Sequence, residues 1–491
     1  MGLMPCGDQL FETDPVDSVP SRARGDVPVD KTFRVYDQDQ SFLMPPSLRD
    51  WLPADHLAHF VSELVDEVLD LAPFFASYTE VRGFPPYHPR LMLKLLLYGY
   101  TTGVRSSRKI ETHCHDDVAF RLLAANTAPD FRSIARFRAR HLAALEALFL
   151  QALLLCQQAG MVRMGRVALD GTKVRANASR HKAMSYDRMC EREERLAAEV
   201  ADMMGQAERV DAAEDAEDAE DAEHGVDHRG GDLQGEMARR NSRLSKIRKA
   251  KHDLEQHARD QGAQHARTKA RNAGHPSDVA EEAAGRAAET ATPKAKAQRN
   301  FTDADSRIMK TADGSFHYCY NAQAVVDEAN QVIVATDFAD SGADNPAFAD
   351  MLAQTHTNTG ITPAQTLADA GYFSEANIDA AHQAVTDPFI ATGRPAHGDR
   401  TPDAPRGPIP KDATPKARMA RKLRTKKGKT TYSRRKVIVE PVFGQMKTTQ
   451  GAGKLLLRGH DNARAEWRLL AACHNLRKLF AYTGTATLAT A

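Results

Sequence analysis

Val167-Ala168-Leu169-Asp170-Gly171-Thr172-Lys173 is an apolar run that closes on an acid and a glycine. Strands buried on both faces read as near-continuous apolar runs, so residues 166–174 are expected to form a central strand with Asp170 at its edge. The pattern recurs in Thr366-Leu367-Ala368-Asp369-Ala370-Gly371-Tyr372. Between the two, residues 317–326 and 331–338 alternate as strands, joined by a hairpin-like turn at 327–330. Residues 345–356 read as a helix, 365–369 as the fourth strand, 374–384 as a helix and 388–391 as a short fifth strand. Helices are expected at 433–449 and 463–482.

The order β-β-β-α-β-α-β-α is that of an RNase H-like fold, an α/β architecture with a mixed sheet flanked by helices. It makes the fourth strand the parallel neighbour of the first, so Asp170 and Asp369 meet at one sheet edge. A third acid, Glu440, lies in Arg435-Lys436-Val437-Ile438-Val439-Glu440-Pro441-Val442-Phe443-Gly444-Gln445-Met446-Lys447, a helical stretch. Because the residue before proline is biased away from helix, this helix is expected to begin or kink beside Glu440. Carboxylates on three rigid elements suit magnesium, a hard cation that takes oxygen ligands. Two such ions can support an in-line displacement at phosphorus. Alone, each aspartate reads more readily as a turn residue and Glu440 as a complement to a helix dipole; the conjunction carries the functional reading.

The rest of the chain frames this domain. Its 491 residues allow two or three domains. With 42% hydrophobic and 27% charged residues and a mean hydropathy of -0.50, it is expected to be soluble. Net charge is only +1, but the charge is segregated, and local patches set binding potential. Residues 1–40 read as a disordered arm without a signal peptide. Residues 41–160 read as an all-α domain, with apolar stripes at helical spacing. This domain is either a plain bundle or one containing a DNA-binding helix-turn-helix. Its Arg132, Arg136 and Arg140 recur at i+4 spacing, either as a solvated face or as a contact to the DNA backbone. The catalytic domain takes 161–180 and 300–482, and 483–491 is a tail.

Residues 181–299 interrupt that domain as a charged, alanine-rich insertion. Leu196, Val200 and Met203 make one helical stripe. Met237, Leu244, Ile247, Lys251 and Leu254 make another at near-heptad, coiled-coil spacing. Two helices in an antiparallel hairpin with a disordered acidic tip at 214–223 are expected. Residues 411–436 are strongly basic, with Lys426 and Lys427 among them. They read as a solvated loop or a phosphate-binding strap beside Glu440. The six cysteines show no CxxC spacing, which fits a reducing compartment. His113-Cys114-His115 reads as ordinary helix surface, since residues at i and i+2 do not share a helix face. No Walker-type motif points to ATP, and no apolar run is long enough to span a bilayer.

Asp170-Gly171-Thr172-Lys173-Val174-Arg175-Ala176-Asn177-Ala178-Ser179 resembles the first-aspartate motif of bacterial insertion-sequence DDE transposases. Tyr320-Asn321-Ala322-Gln323 and Leu367-Ala368-Asp369-Ala370-Gly371-Tyr372 resemble the motifs that follow. The pattern Tyr432-x-x-Arg435-x-x-x-x-Glu440-Pro441-x-Phe443-Gly444-x-x-Lys447 resembles the signature around the family's glutamate. Leu457-Arg458-Gly459, Ala465-Glu466-Trp467 and His474-Asn475-Leu476-Arg477-Lys478 extend the match. The resemblance covers roughly 40–180 and 300–482.

The resemblance implies that Asp170, Asp369 and Glu440 bind two Mg2+ ions, which Mn2+ could replace. It places Tyr432, Arg435 and Lys447 against DNA near the cleaved bond, and Lys173 of the first motif joins them. Arginine usually stands four residues before the glutamate; here Lys436 holds that position and Arg435 is five before. Arg435 can hold a phosphate in bidentate fashion, and Lys447 acts as a point charge. Tyr432 suits base stacking or packing equally. The implied activity is cleavage of element ends and strand transfer into double-stranded target DNA, by a homodimer in the cytoplasm at the nucleoid. The insertion is a candidate for its protein contacts. Rival readings are a nuclease without strand transfer and an inactive DNA-binding remnant.

Overall fold

The computed structural model describes residues 47–78, 86–217, 233–339, 342–393, 402–410 and 412–484. The expected N-terminal arm, the acidic tip beyond Glu217 and the tail beyond Gly484 lie outside the described residues. The chain divides into two units at Ser47, and the site lies within Leu48–Ala491.

The strands are β1 (Arg166–Arg175), β2 (Ala183–Ser185), β3 (Gln298–Asn300), β4 (Arg307–Lys310), β5 (Phe316–Asp327), β6 (Ile333–Ala339), β7 (Gln365–Ala368) and β8 (Asp387–Ile390). The main sheet runs β4-β5-β1-β7-β8, with β6 also paired to β5. β1 is antiparallel to β5, with Asp170 opposite Ala324. It is parallel to β7, with Leu169 opposite Ala368. This is the RNase H-like mixed sheet expected from the element order. Val167, Ala168 and Leu169 are buried, as are Thr366, Leu367 and Ala368 on β7. The sequence reading lacked β2, β3 and β4. Two of these are three residues long, and β4 begins and ends on a cation, so none shows an apolar pattern.

The N-terminal helices and the sheet share one continuous core. Pro89–Thr102 starts with proline in its first turn, where a missing N–H costs nothing. It ends at Gly103, whose φ of 89° suits glycine. Residues 131–158 form two helices, Phe131–Arg140 and Leu142–Gln158, bent by 72°. Among the described residues no single helix is long and apolar enough to cross a membrane.

Arg105, on the turn after Pro89–Thr102, ties this region to the C-terminal part of the chain. It pairs with Glu466 at 3.0 Å, donates to Lys454 O at 2.8 Å and also donates to Gly451 O. Glu466 is 1% exposed and accepts from the backbone N–H groups of Leu456 and Leu457 at 2.8 and 2.9 Å. A buried charge is tolerated only when it is paired and hydrogen-bonded in this way.

Glu466 lies on the terminal helix, His460–Thr483. Trp467 Nε1 donates to Thr336 Oγ1 of β6 at 2.7 Å. Asn475 brackets Ile333, accepting from its N–H at 2.9 Å and donating to its carbonyl at 2.8 Å. His474 contacts Gln331 O at 3.1 Å. The Ala465-Glu466-Trp467 and His474-Asn475 motifs are therefore buttresses of the sheet.

The helix carrying Glu440 corrects two expectations. It spans Lys426–Thr448, beginning well before Glu440 and continuing through Pro441. Proline removes the N–H that would bond the carbonyl four residues back. Gln331 Nε2 supplies a replacement, donating to Val437 O at 2.9 Å. The basic stretch is likewise no loose strap. Pro415–Arg424 is a helix that turns at Thr425 directly into Lys426–Thr448. The turn needs glycine, since a Cβ on Gly428 would lie 2.0 Å from Lys422 O. Lys422 pairs with Asp387 and stands 4.0 Å over the Phe389 ring, which pins the shorter helix to β8.

The insertion holds Tyr186–Glu217 and Leu233–Asn272, and adds a helix absent from the sequence reading, Ser277–Thr290. The first two bury a small core of their own: Met189, Leu196, Leu244, Ile247, Ala250 and Leu254. The pairing of β2 with β3 closes the base.

Candidate active site

The parallel register sets the two aspartates side by side. Leu169 pairs with Ala368, and the next residue on each strand is the acid. Asp369 caps the 3-10 turn Ala370–Tyr372, its Oδ1 accepting from Gly371 N–H at 2.7 Å. Asp170 Oδ1 accepts from its neighbour Gly171 N–H at 2.9 Å. Its Oδ2 accepts from Arg435 at 2.7 Å.

Burial pushes the Asp170 carboxyl up to about 6. Arg435 pulls against that shift, and the negative charge of Asp369 adds to it. Two carboxylates that close disfavour joint ionisation. Among the described residues no group of three or more His, Cys, Asp or Glu is already gathered as a metal cage. The donor set nevertheless fits a hard divalent cation: two adjacent oxygen donors, one of them held back from ionising chiefly by burial and further by the other.

Alternation along β1 gives the site two sides. Asp170 and Thr172 face the Lys426–Thr448 helix, where Arg435 bonds Asp170 and Lys447 bonds Thr172. Burial lowers the Lys447 ammonium pKa and raises that of the half-buried Tyr432 phenol. Glu440 lies between these two anchors on the same helix, with its side chain exposed. The structure thus brings Asp170, Asp369, Arg435 and Tyr432 together and leaves Glu440 on the rim. Lys426 and Lys427 are exposed at the start of the same helix. Arg132 and Arg136 are exposed on Phe131–Arg140.

On the other side of β1, Gly171 and Lys173 meet a residue the sequence reading missed. Asp344 accepts from Asn321 at 2.8 Å, Gln323 at 3.0 Å and Lys173 at 3.2 Å. Gln323 in turn accepts from the Tyr372 hydroxyl. The Tyr320-Asn321-Ala322-Gln323 motif thereby places two buried amides on a central strand and satisfies them with one carboxylate. Gly171 is required there, because a Cβ would lie 2.5 Å from Gln323 Nε2 and 2.8 Å from Asp344 Oδ1. Burial, followed by the charges of Asp344, Asp170 and Asp369, raises the Tyr372 phenol well above its usual range. Asp344 is therefore part of the same acidic neighbourhood. The one sequence signal was its place between the third strand and the next helix, a position resembling that of Asp369.

An RNase H-like sheet that sets an acid within its central strand beside an acid at the end of the parallel neighbour defines a class of polynucleotidyl-transfer enzymes. Family models carry the assignment further: a Transposase domain (DUF772) matches residues 46–140, and a Transposase DDE domain matches 292–476. The chain belongs to the insertion-sequence DDE transposases, proteins that bind DNA and generally use divalent metals. Asp369 and Glu440 fall within the second match, while Asp170 lies between the two matches. No match was found among curated proteins or solved structures.

Proposed function

We propose that this transposase cuts phosphodiester bonds at element ends and transfers the freed 3′ ends into target DNA, with Asp170, Asp369 and Glu440 as its metal-binding acids. The observation that carries this reading is the side-by-side placement of Asp170 and Asp369 on β1 and β7. A bound pair of divalent cations would supply charge neutralisation at the attacking and leaving oxygens. Asp170 and Asp369 would hold them from the sheet edge, and Glu440 from the helix above it.

Arg435 keeps the Asp170 carboxylate oriented before loading. Once its partner is neutralised, the planar guanidinium is free to grip a DNA phosphate. Lys447, fixed on Thr172, places a second cation along the strand path. Lys173, Tyr432, Lys426, Lys427, Arg132 and Arg136 extend the DNA-facing surface. Joining two element ends calls for two active sites, hence a homodimer in the assembled complex.

The test uses DNA carrying the sequences that flank the coding region, with magnesium or manganese. Asp170→Asn, Asp369→Asn and Glu440→Gln should each abolish cleavage and joining, by about 10³-fold or more. Hydrolysis without joined product would leave a nuclease and remove the strand-transfer reading. Unchanged cleavage in Asp170→Asn would overturn the site assignment.

A further inference from the structure

A cleft of about 1190 Å³ runs along the insertion and is closed on the catalytic side by Asn345 and Pro346. One wall is Leu233–Asn272, presenting His257, Gln261 and His265, and the other includes Lys294, Lys296 and Asn345. No carboxylate is among the described residues that line it. Lys294 and Lys296 are exposed and make no ion pair among the described residues. The cations of the lining are these two lysines, and the Leu233–Asn272 helix contributes neutral polar side chains to it. Burial, then the charges of Arg307 and Arg299, lower the pKa of His257, which makes it a neutral lining residue, and Arg299 is itself paired with Asp253 at 3.2 Å. The cleft also opens beside the site. Asn345 adjoins Asp344 and donates to Phe373 O at 3.1 Å, just past the turn capped by Asp369.

We propose that this cleft is a second DNA-binding track, in which Lys294, Lys296 and the polar face of Leu233–Asn272 hold the phosphate backbone of the DNA entering or leaving the Asp170–Asp369 edge. A groove that carries two lysines, amides and hydroxyls beside apolar Leu254, Ala258, Pro293, Ala297 and Pro346, and no acid, can take a polyanion backbone and reads no sequence. Gln261, Gln264 and Thr268 add neutral donors of the kind that contact phosphates. The track gives the insertion a role in the reaction and sets its His257, Gln261, Gln264, His265 and Thr268 face against the substrate. It rests on the proposed function for its orientation, but its test needs no catalysis.

The experiment measures affinity of the full chain for a short fluorescein-labelled duplex of mixed sequence, without divalent cation, across a series of salt concentrations. Lys294→Gln with Lys296→Gln should flatten the log-affinity against log-salt slope by about 1 to 2. Gln261→Lys with Gln264→Lys should steepen it by a similar amount, a gain that a misfolded variant could not produce. Arg286→Gln, at an exposed residue outside the cleft lining that pairs with Glu282 at 3.0 Å, should leave it unchanged. Equal slopes in all variants, or equal flattening in the Lys294/Lys296 and Arg286 variants, would overturn the track. If Asp170→Asn abolishes cleavage while the slopes stay fixed, the track alone falls. If the slopes move as expected while Asp170→Asn still cleaves, the acid assignment alone falls.

Discussion

The sheet body and the insertion solve folding in opposite ways. The sheet is buried on both sides by helices, and its core runs without a break into the N-terminal helices. The insertion rests on a few apolar contacts between long charged helices. One holds carboxylates in fixed register; the other presents charge over a large surface at little cost in core. Rigid elements suit a chemical centre that tolerates small displacements poorly, and an exposed charged helix suits contact with a long polyanion.

The largest expected effect tests how tightly the sheet body is bolted. Arg105→Ala leaves the Glu466 carboxylate buried without its ion-pair partner, which should cost about 3–5 kcal/mol. Chemical denaturation should show the loss as a shifted midpoint, and hydrogen exchange should rise in the sheet and the terminal helix together. A normal midpoint would mean that the two regions do not depend on this pair.

The next effect is acid lability of the same body. Burial lowers the pKa of His474 from 6.5 to about 4. Between those values the unfolded chain binds the proton and the folded chain does not. Stability should therefore be full above about 6.5 and fall as the pH drops toward 4, by up to ~3 kcal/mol from this group. Unfolding midpoints across that window should fall in the parent and stay flatter in His474→Gln.

A smaller effect should stay inside the insertion. Leu244→Ala removes a buried side chain from the satellite core, at about 2 kcal/mol. Exchange should accelerate in Tyr186–Glu217 and Leu233–Asn272 while the sheet keeps its protection. Acceleration throughout the sheet would show that the insertion is not a separate cooperative unit.

The smallest effect probes the rear wall of the site. Asp344→Asn keeps the shape but removes the charge opposite Lys173, and should lower cleavage about tenfold, or ~1.4 kcal/mol in the barrier. An unchanged rate would make Asp344 a structural residue only.

Much of the site was legible because strand burial leaves a local trace. The apolar runs before Asp170 and Asp369 encode two strands, and the order of elements makes those strands neighbours; β7 ends at Ala368 as expected, whereas β1 runs past Asp170 to Arg175 because it stays paired with β5. The basic stretch at 411–436 misled for a related reason. Its buried contacts are few, with Met419, Gly428 and Thr431 inside and long cationic chains outside, so composition read as loop. The helix onset at Glu440 misled because the residue that satisfies the carbonyl exposed by Pro441 is Gln331, more than a hundred positions away.

By itself, then, the sequence determined the alternation of strands and helices, the acids that follow apolar strand residues and the charged character of the insertion. These follow from periodicity and local composition, which the chain carries residue by residue. Only the tertiary structure decided that Arg435 holds Asp170, that Asp344 gathers Asn321, Gln323 and Lys173, and that Glu466 locks Arg105. Each of these is a polar group forced to find its partner where burial removes water, and the partner's address is set by packing across the chain rather than by its neighbours in sequence.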